Sequence, residues 1–196
     1  MLLRFFVVLK ITLFIGFVLL SACSSSKEDF SGPLVPIGNF RLGQVIGQAN
    51  SEPQKGLLSR EASRDEWVSA ITLAFNERFE RYQGSAYFHL GVTAHAYILA
   101  KPGIPILASP KSILIFSVVV VEDSSGKLLT PKPHKMTVVE QINGNSVIGS
   151  GYTLSKEEQL NGLAYQAALM TESWLRKQRW FDGPVVSSKP LSGAYN

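Results

Sequence analysis

Apolar and polar positions change period several times along the chain, and each change marks an element. Ile11 to Leu20 is an uncharged apolar run, followed by a small, polar and charged stretch from Ser24 to Asp29 and by Gly32, Pro33 and Pro36. Ile37 to Ile46 reads as a first strand with Phe40, Leu42 and Val45 as apolar members, interrupted by Gly38, Gly43 and Gly47, and Asn50 to Gly56 reads as a loop. Ser63-Arg64-Asp65-Glu66 fits a capping box, in which the serine hydroxyl and the glutamate carboxylate satisfy amides that the first helical turn leaves unpaired. Trp67, Ala70, Ile71, Ala74, Phe75 and Phe79 then recur at helical spacing, and Gly84 provides a stop.

From Tyr87 to Ala100 the period becomes two. Phe88, Leu90, Val92, Ala94, Ala96 and Ile98 are expected on one face, with Tyr87, His89, Thr93, His95 and Tyr97 on the other, as in a half-buried strand. Pro102, Pro105 and Pro110 mark a loop. Ile113 to Val121 is a nearly unbroken β-branched run and reads as a central strand, followed by a turn at Glu122-Asp123-Ser124-Ser125-Gly126 and a returning segment from Lys127. Pro131 and Pro133 interrupt that segment, pairing is expected to resume over Lys135 to Ile142, and Asn143-Gly144 is a hairpin signal. A second capping box, Ser155-Lys156-Glu157-Glu158, opens a last helix. Its inward stripe is Leu160, Leu163, Ala164, Ala167, Ala168, Thr171, Trp174 and Leu175, and it is closed off by Asp182-Gly183-Pro184. Each helix has one apolar stripe to bury, so the economical arrangement is an α+β two-layer sandwich, with both helices on one face of a mainly antiparallel sheet.

Charge changes the reading of the first segment. Arg4 and Lys10 precede the apolar run as the positive region of a signal peptide would. A membrane-spanning helix needs roughly 20 apolar residues, and here it would have to bury Lys10, at about 2.5–3.5 kcal/mol. Cleavage is the better reading. Leu20-Ser21-Ala22-Cys23 resembles the bacterial lipoprotein cleavage box. The resemblance implies lipid transfer to the Cys23 sulfur, cleavage after Ala22 and acylation of the new amino terminus. More than one acyl chain then anchors stably. Ser24 stands where an aspartate would retain a lipoprotein in the inner membrane, which points to the outer membrane, on its periplasmic side.

The expected organisation is a signal peptide over 1–22, a lipidated cysteine and flexible tether over 23–36, one domain over 37–183 and a mobile tail over 184–196. Cys23 is the only cysteine, so no internal disulfide can form. The formal charge of +4 includes Arg4 and Lys10, so the chain from Cys23 carries +2, which is no argument for nucleic acid as a partner.

Candidate chemistry is thin. His89 and His95 share a strand face but are six residues apart, about 20 Å at the strand rise, and His134 lies elsewhere. Zinc needs three or four converging ligands, so no metal is expected, and no cofactor. A Gly-x-Ser-x-Gly elbow and a His-Glu-x-x-His motif are both absent. Gly149-Ser150-Gly151 lacks the flanks of a nucleophile or phosphate loop, and no catalysis is expected. Two surfaces remain. One is the wet strand face with Tyr87, His89, Thr93, His95 and Tyr97. The other surrounds Trp180, where Trp174, Trp180 and Phe181 are interleaved with Arg176, Lys177 and Arg179; it would suit anionic headgroups or an acidic partner, or simply finish a helix end.

Beyond the leader, the domain resembles small bacterial accessory lipoproteins, including transport auxiliary components. The resemblance rests on the Ile113–Val121 strand with its Glu122-Asp123-Ser124-Ser125-Gly126-Lys127-Leu128-Leu129 turn, and on the Gly149–Leu160 entry into the last helix. It implies a non-catalytic binding or assembly module of an envelope complex, with the membrane and an envelope protein as partners. The alternative is a carrier of an apolar ligand or lipid, in which Phe75, Phe79, Phe88 and Trp174 line a cavity between helices and sheet.

Overall fold

The computed structural model describes residues 34–57, 59–101, 111–140 and 154–182. The leader, Cys23, residues 24–33, the Pro102–Pro110 loop, Asn143-Gly144, Gly149-Ser150-Gly151 and the tail over 184–196 lie outside the described residues. The elements run β1 (Arg41–Lys55), α1 (Arg64–Phe79), β2 (Tyr87–Ile98), β3 (Ile113–Glu122), β4 (His134–Val139) and α2 (Lys156–Leu175), closed by a 3-10 turn, Arg179–Phe181. The four described strands form one sheet in the order β1-β2-β3-β4. β1 and β2 are parallel, joined by α1 as the crossover that a parallel pair needs. The β2–β3 and β3–β4 pairings are antiparallel. This is the expected α+β class.

Both helices start where their capping boxes stand. The Ser63 hydroxyl accepts from the Glu66 N–H at 3.2 Å and the Glu66 carboxylate accepts from the Ser63 N–H at 2.7 Å. Ser155 and Glu158 repeat the exchange at 3.1 and 2.7 Å. Two ion pairs then lay the helices side by side in the same direction. Lys156, opening α2, donates to Glu66 in the first turn of α1. Near the other ends, Arg78 grips Glu172 through two parallel bonds of 2.9 and 2.7 Å, and the Tyr82 hydroxyl reaches the same carboxylate. Burial alone would lower the Arg78 pKa, but the Glu172 carboxylate more than offsets this and raises it. Burial, then the same carboxylate, pushes the Tyr82 hydroxyl well above the usual tyrosine range. Removing one partner of such a buried pair strands a charge, at about 3–5 kcal/mol.

One face of the sheet carries Leu90, Val92 and Ala94 of β2 and Leu114, Phe116, Val118 and Val120 of β3, all fully buried. They pack beneath Trp67, Ile71 and Phe75 of α1 and Leu163, Ala164, Ala167 and Leu175 of α2. Gly47 lets α1 come this close: a Cβ there would stand 2.4 Å from the Thr72 hydroxyl and 3.0 Å from the Val68 carbonyl oxygen. At one end Phe40 lies stacked on Phe88 at 5.5 Å, with Phe79, Tyr82 and Phe181 edge-on around it.

Two expectations change. The stretch from Asn50 to Gly56 is mostly strand and not loop. β1 continues to Lys55 through an irregularity between Ala49 and Gln54, and an edge strand can carry Pro53 because one side needs no ladder donor. At its start the strand begins at Arg41, after a bend at Gly38, which has φ 98° and would place a Cβ 2.5 Å from the Phe181 carbonyl oxygen. Only glycine combines that φ with that approach. Among the described residues, no helix is long and apolar enough to cross a membrane.

Candidate interaction surface

Among the described residues, no helix packs on the second face of the sheet. Its residues follow from the pairing register. Gln44, Ile46 and Gln48 of β1 lie beside His89, Gly91 and Thr93 of β2, which face Val121, Val119 and Ser117 of β3, and Ser117 in turn faces Lys135 of β4. At the far end Ile113 and Ile115 stand beside Val139 and Thr137. Ile46, Ile115 and Val139 remain 45%, 38% and 42% exposed, so aliphatic groups are open to solvent among amides, hydroxyls and imidazoles.

Of the residues expected on this face, Tyr87, His89, Thr93 and His95 are there. Tyr87 is exposed, with the Arg41 guanidinium 5.2 Å over its ring. The His89 imidazole sits over Gly43, where a Cβ would be 2.8 Å from the ring. Its Nε2 meets Asp123 at 2.8 Å, and its buried Nδ1 has no partner among the described residues. His95 covers Ser117, with Nε2 2.8 Å from the hydroxyl, which accounts for a serine that is nearly inaccessible on an otherwise open face. Burial, then the nearby Lys135 ammonium, lowers the His95 pKa.

Tyr97 is not on this face. The register slips between Ala94 and Ala96, and the extra residue inverts the alternation beyond it. Tyr97 therefore turns under α1, 4% exposed, with its ring 5.2 Å from that of Trp67. Its hydroxyl donates to the Ala62 carbonyl and accepts from the Ala62 N–H, both at 2.9 Å. Leu99 follows it into the core, while Ala96 and Ile98, expected with the core, are half-exposed.

Trp180 belongs to neither sheet face. It follows α2, half-buried, edge-on to Trp174 at 5.5 Å, and Trp174 is itself stacked on His134 at 4.3 Å. The structure thus separates the two candidate surfaces. Phe75, Phe79 and Phe88, which a carrier would turn towards a ligand, are buried, Phe75 in ring contact with Phe79 and Phe88 with Phe40 and Phe181. Among the described residues no three His, Cys, Asp or Glu side chains gather as metal ligands would. The sequence alone does not mark Ile115 and Val119, because an unbroken apolar strand looks buried on both faces; the odd-numbered positions of Ile113–Val121 are the signal that could have found them, whereas Val139, at the end of β4, carries no such signal.

No protein-family model and no curated protein matches this chain. Among solved structures, a Xanthomonas campestris protein of the DUF330 family is similar at 10% identity and a TM-score of 0.41, over 72% of this chain and 86% of its own. A Caulobacter crescentus CB15 protein provisionally described as a lipoprotein is similar at 11% identity and a TM-score of 0.37, over 71% and 89%. A Helicobacter pylori protein provisionally described as a homologue of the neuraminyllactose-binding hemagglutinin is similar at 10% identity and a TM-score of 0.32, over 76% and 94%.

Proposed function

We propose that this protein is a lipid-anchored accessory module of a bacterial cell envelope, held at the periplasmic face of the outer membrane through Cys23, that binds an envelope protein and performs no catalysis of its own. One observation carries the binding part of this reading: a sheet face turned away from both described helices, on which Ile46, Ile115 and Val139 stay partly exposed beside Gln48, Thr93, His95 and Thr137. Partly exposed aliphatic groups ringed by hydrogen-bonding side chains are what a protein partner covers, through an apolar centre and a polar rim. The opposite layer favours this reading over a ligand carrier, since its aromatic rings spend their surface on one another.

The anchor and the face are tested separately. Cys23→Ser is expected to leave an unprocessed precursor that takes up no labelled fatty acid; wild-type protein that also takes up none refutes the anchor. A photo-reactive side chain at Ile115 or Thr137 is expected to trap a specific envelope protein in cells, whereas the same group at Leu73, exposed on α1, traps none. Equal trapping from all three positions refutes the sheet face as the docking surface.

A further inference from the structure

The first described residues of the domain show where the chain from Cys23 comes in. The Val35 carbonyl accepts from the Tyr82 hydroxyl at 3.1 Å, and the Asn39 N–H donates to the Phe181 carbonyl at 2.8 Å. The Asn39 side-chain oxygen is held in turn by the N–H and hydroxyl of Ser85, at 2.6 and 3.0 Å. The entering segment is therefore clamped against the residue that follows Trp180, at the end of the domain where both helices finish. Leu34 and Val35 are 39% and 47% exposed.

That same end presents Arg176, Lys177 and Arg179. All three are exposed, and the Arg179 side chain is 94% accessible. Arg176 caps α2 and suits the negative helix end, but Lys177 and Arg179 lie beyond it. Two exposed acidic groups share this end of the helix layer: Asp182, 3.3 Å from Arg179 in a pair that water screens, and Glu80, which caps α1. Trp180, half-buried among them, has the amphipathic ring that settles at headgroup depth. Glu122 and Asp123 lie at the same end of the sheet layer, hydrogen-bonded to Ser125 and His89, so the basic edge is confined to the helix layer.

We propose that this edge of the helix layer, Arg176, Lys177, Arg179 and Trp180, lies on the anionic lipid headgroups of the membrane that holds the anchor. The inference rests on the lipidation of Cys23. Twelve residues, Cys23 to Leu34, span at most about 40 Å when fully extended, so the clamped end cannot leave the vicinity of the bilayer. Within about 10 Å of the surface, the Debye length at 0.1 M salt, basic residues are drawn to anionic lipid. Docked in this way, the domain would stand on its helix ends and leave the open sheet face free along its side.

The test uses the full, lipidated protein in phosphatidylcholine vesicles with and without phosphatidylglycerol, both doped with lipid brominated near the headgroup. Trp180 quenching is read as the difference between wild type and Trp180→Phe. Quenching is expected with phosphatidylglycerol, falling in high salt and lost in an Arg176→Glu, Lys177→Glu, Arg179→Glu variant that keeps its helical circular dichroism and still floats with the vesicles. Flotation without Trp180 quenching, or quenching that ignores the charge reversal, overturns the docking edge and leaves the anchor standing. Wild-type protein that floats with neither vesicle overturns both.

Discussion

The two faces of strand β3 are built from the same kinds of residue and meet opposite fates. Leu114, Phe116, Val118 and Val120 are fully buried, while Ile113, Ile115, Val119 and Val121 keep part of their surface in water. Hydrophobicity along the strand does not separate them; only the layer packed above does. One face of the sheet thus carries the stability of the domain and the other is chemically available, and substitutions placed in pairs across it can break that division.

The widest gap is expected between Phe116→Ala and Ile115→Thr. The first opens a cavity under the helices and should cost about 3–5 kcal/mol; the second keeps a β-branched residue on the open face and should stay within about 0.5 kcal/mol, both read by urea unfolding. Comparable losses would mean that something covers the open face. Two glycines sharpen the contrast. Gly47→Ala drives a methyl into the Val68 carbonyl of α1 and should cost about 1–3 kcal/mol. Gly91→Ala meets only a Val119 methyl, 2.6 Å away on the open side, which can rotate clear, so thermal unfolding should shift little.

Two tyrosines of β2 make a third pair. Tyr97→Phe keeps the ring but strands the N–H and carbonyl of Ala62, an expected loss of about 1–3 kcal/mol, whereas Tyr87→Phe should be neutral by the same unfolding measurement. The smallest effect is electrostatic. The His95 pKa is lower in the fold than in the unfolded chain, so the unfolded state binds the proton more readily. Stability is complete above the unfolded pKa of about 6.5 and falls as pH drops below it towards the folded value. His95→Gln should remove that part of the pH dependence; an unchanged profile between pH 7 and 5 would assign it to other groups.

Local signals were the legible ones. Both capping boxes, both helical stripes and the β-branched run of β3 can be read from neighbours in the chain, and each sits where its pattern puts it. The alternation of β2 was legible only as far as Ala94. Beyond it the letters still alternate, but the paired strand skips a residue, and a bulge is a property of two strands that one strand's pattern cannot express. The length of β1 is not legible because Asn50, Ser51 and Pro53 favour loops in isolation, whereas pairing of Gln54 and Lys55 with β2 holds them extended. The Arg78–Glu172–Tyr82 cluster joins groups some ninety residues apart, so no spacing announces it. Of the candidate surface, the polar members Tyr87, His89, Thr93 and His95 are legible, whereas the aliphatic ones depend on both described helices packing on the other side, which no single strand's pattern encodes.

The bond from the Asn39 N–H to the Phe181 carbonyl also ties the start of the domain to its close. Asn39 is held from its other side by Ser85, so one short segment is shared between the loop after α1 and the turn after α2. The Ser85 contact closes a loop of 46 residues, and the Phe181 contact closes one roughly three times as long. Because closure entropy grows only with the logarithm of loop length, the longer loop costs about 1 kcal/mol more than the shorter one. A clasp between the two ends of the domain is therefore nearly as cheap to close as a local one.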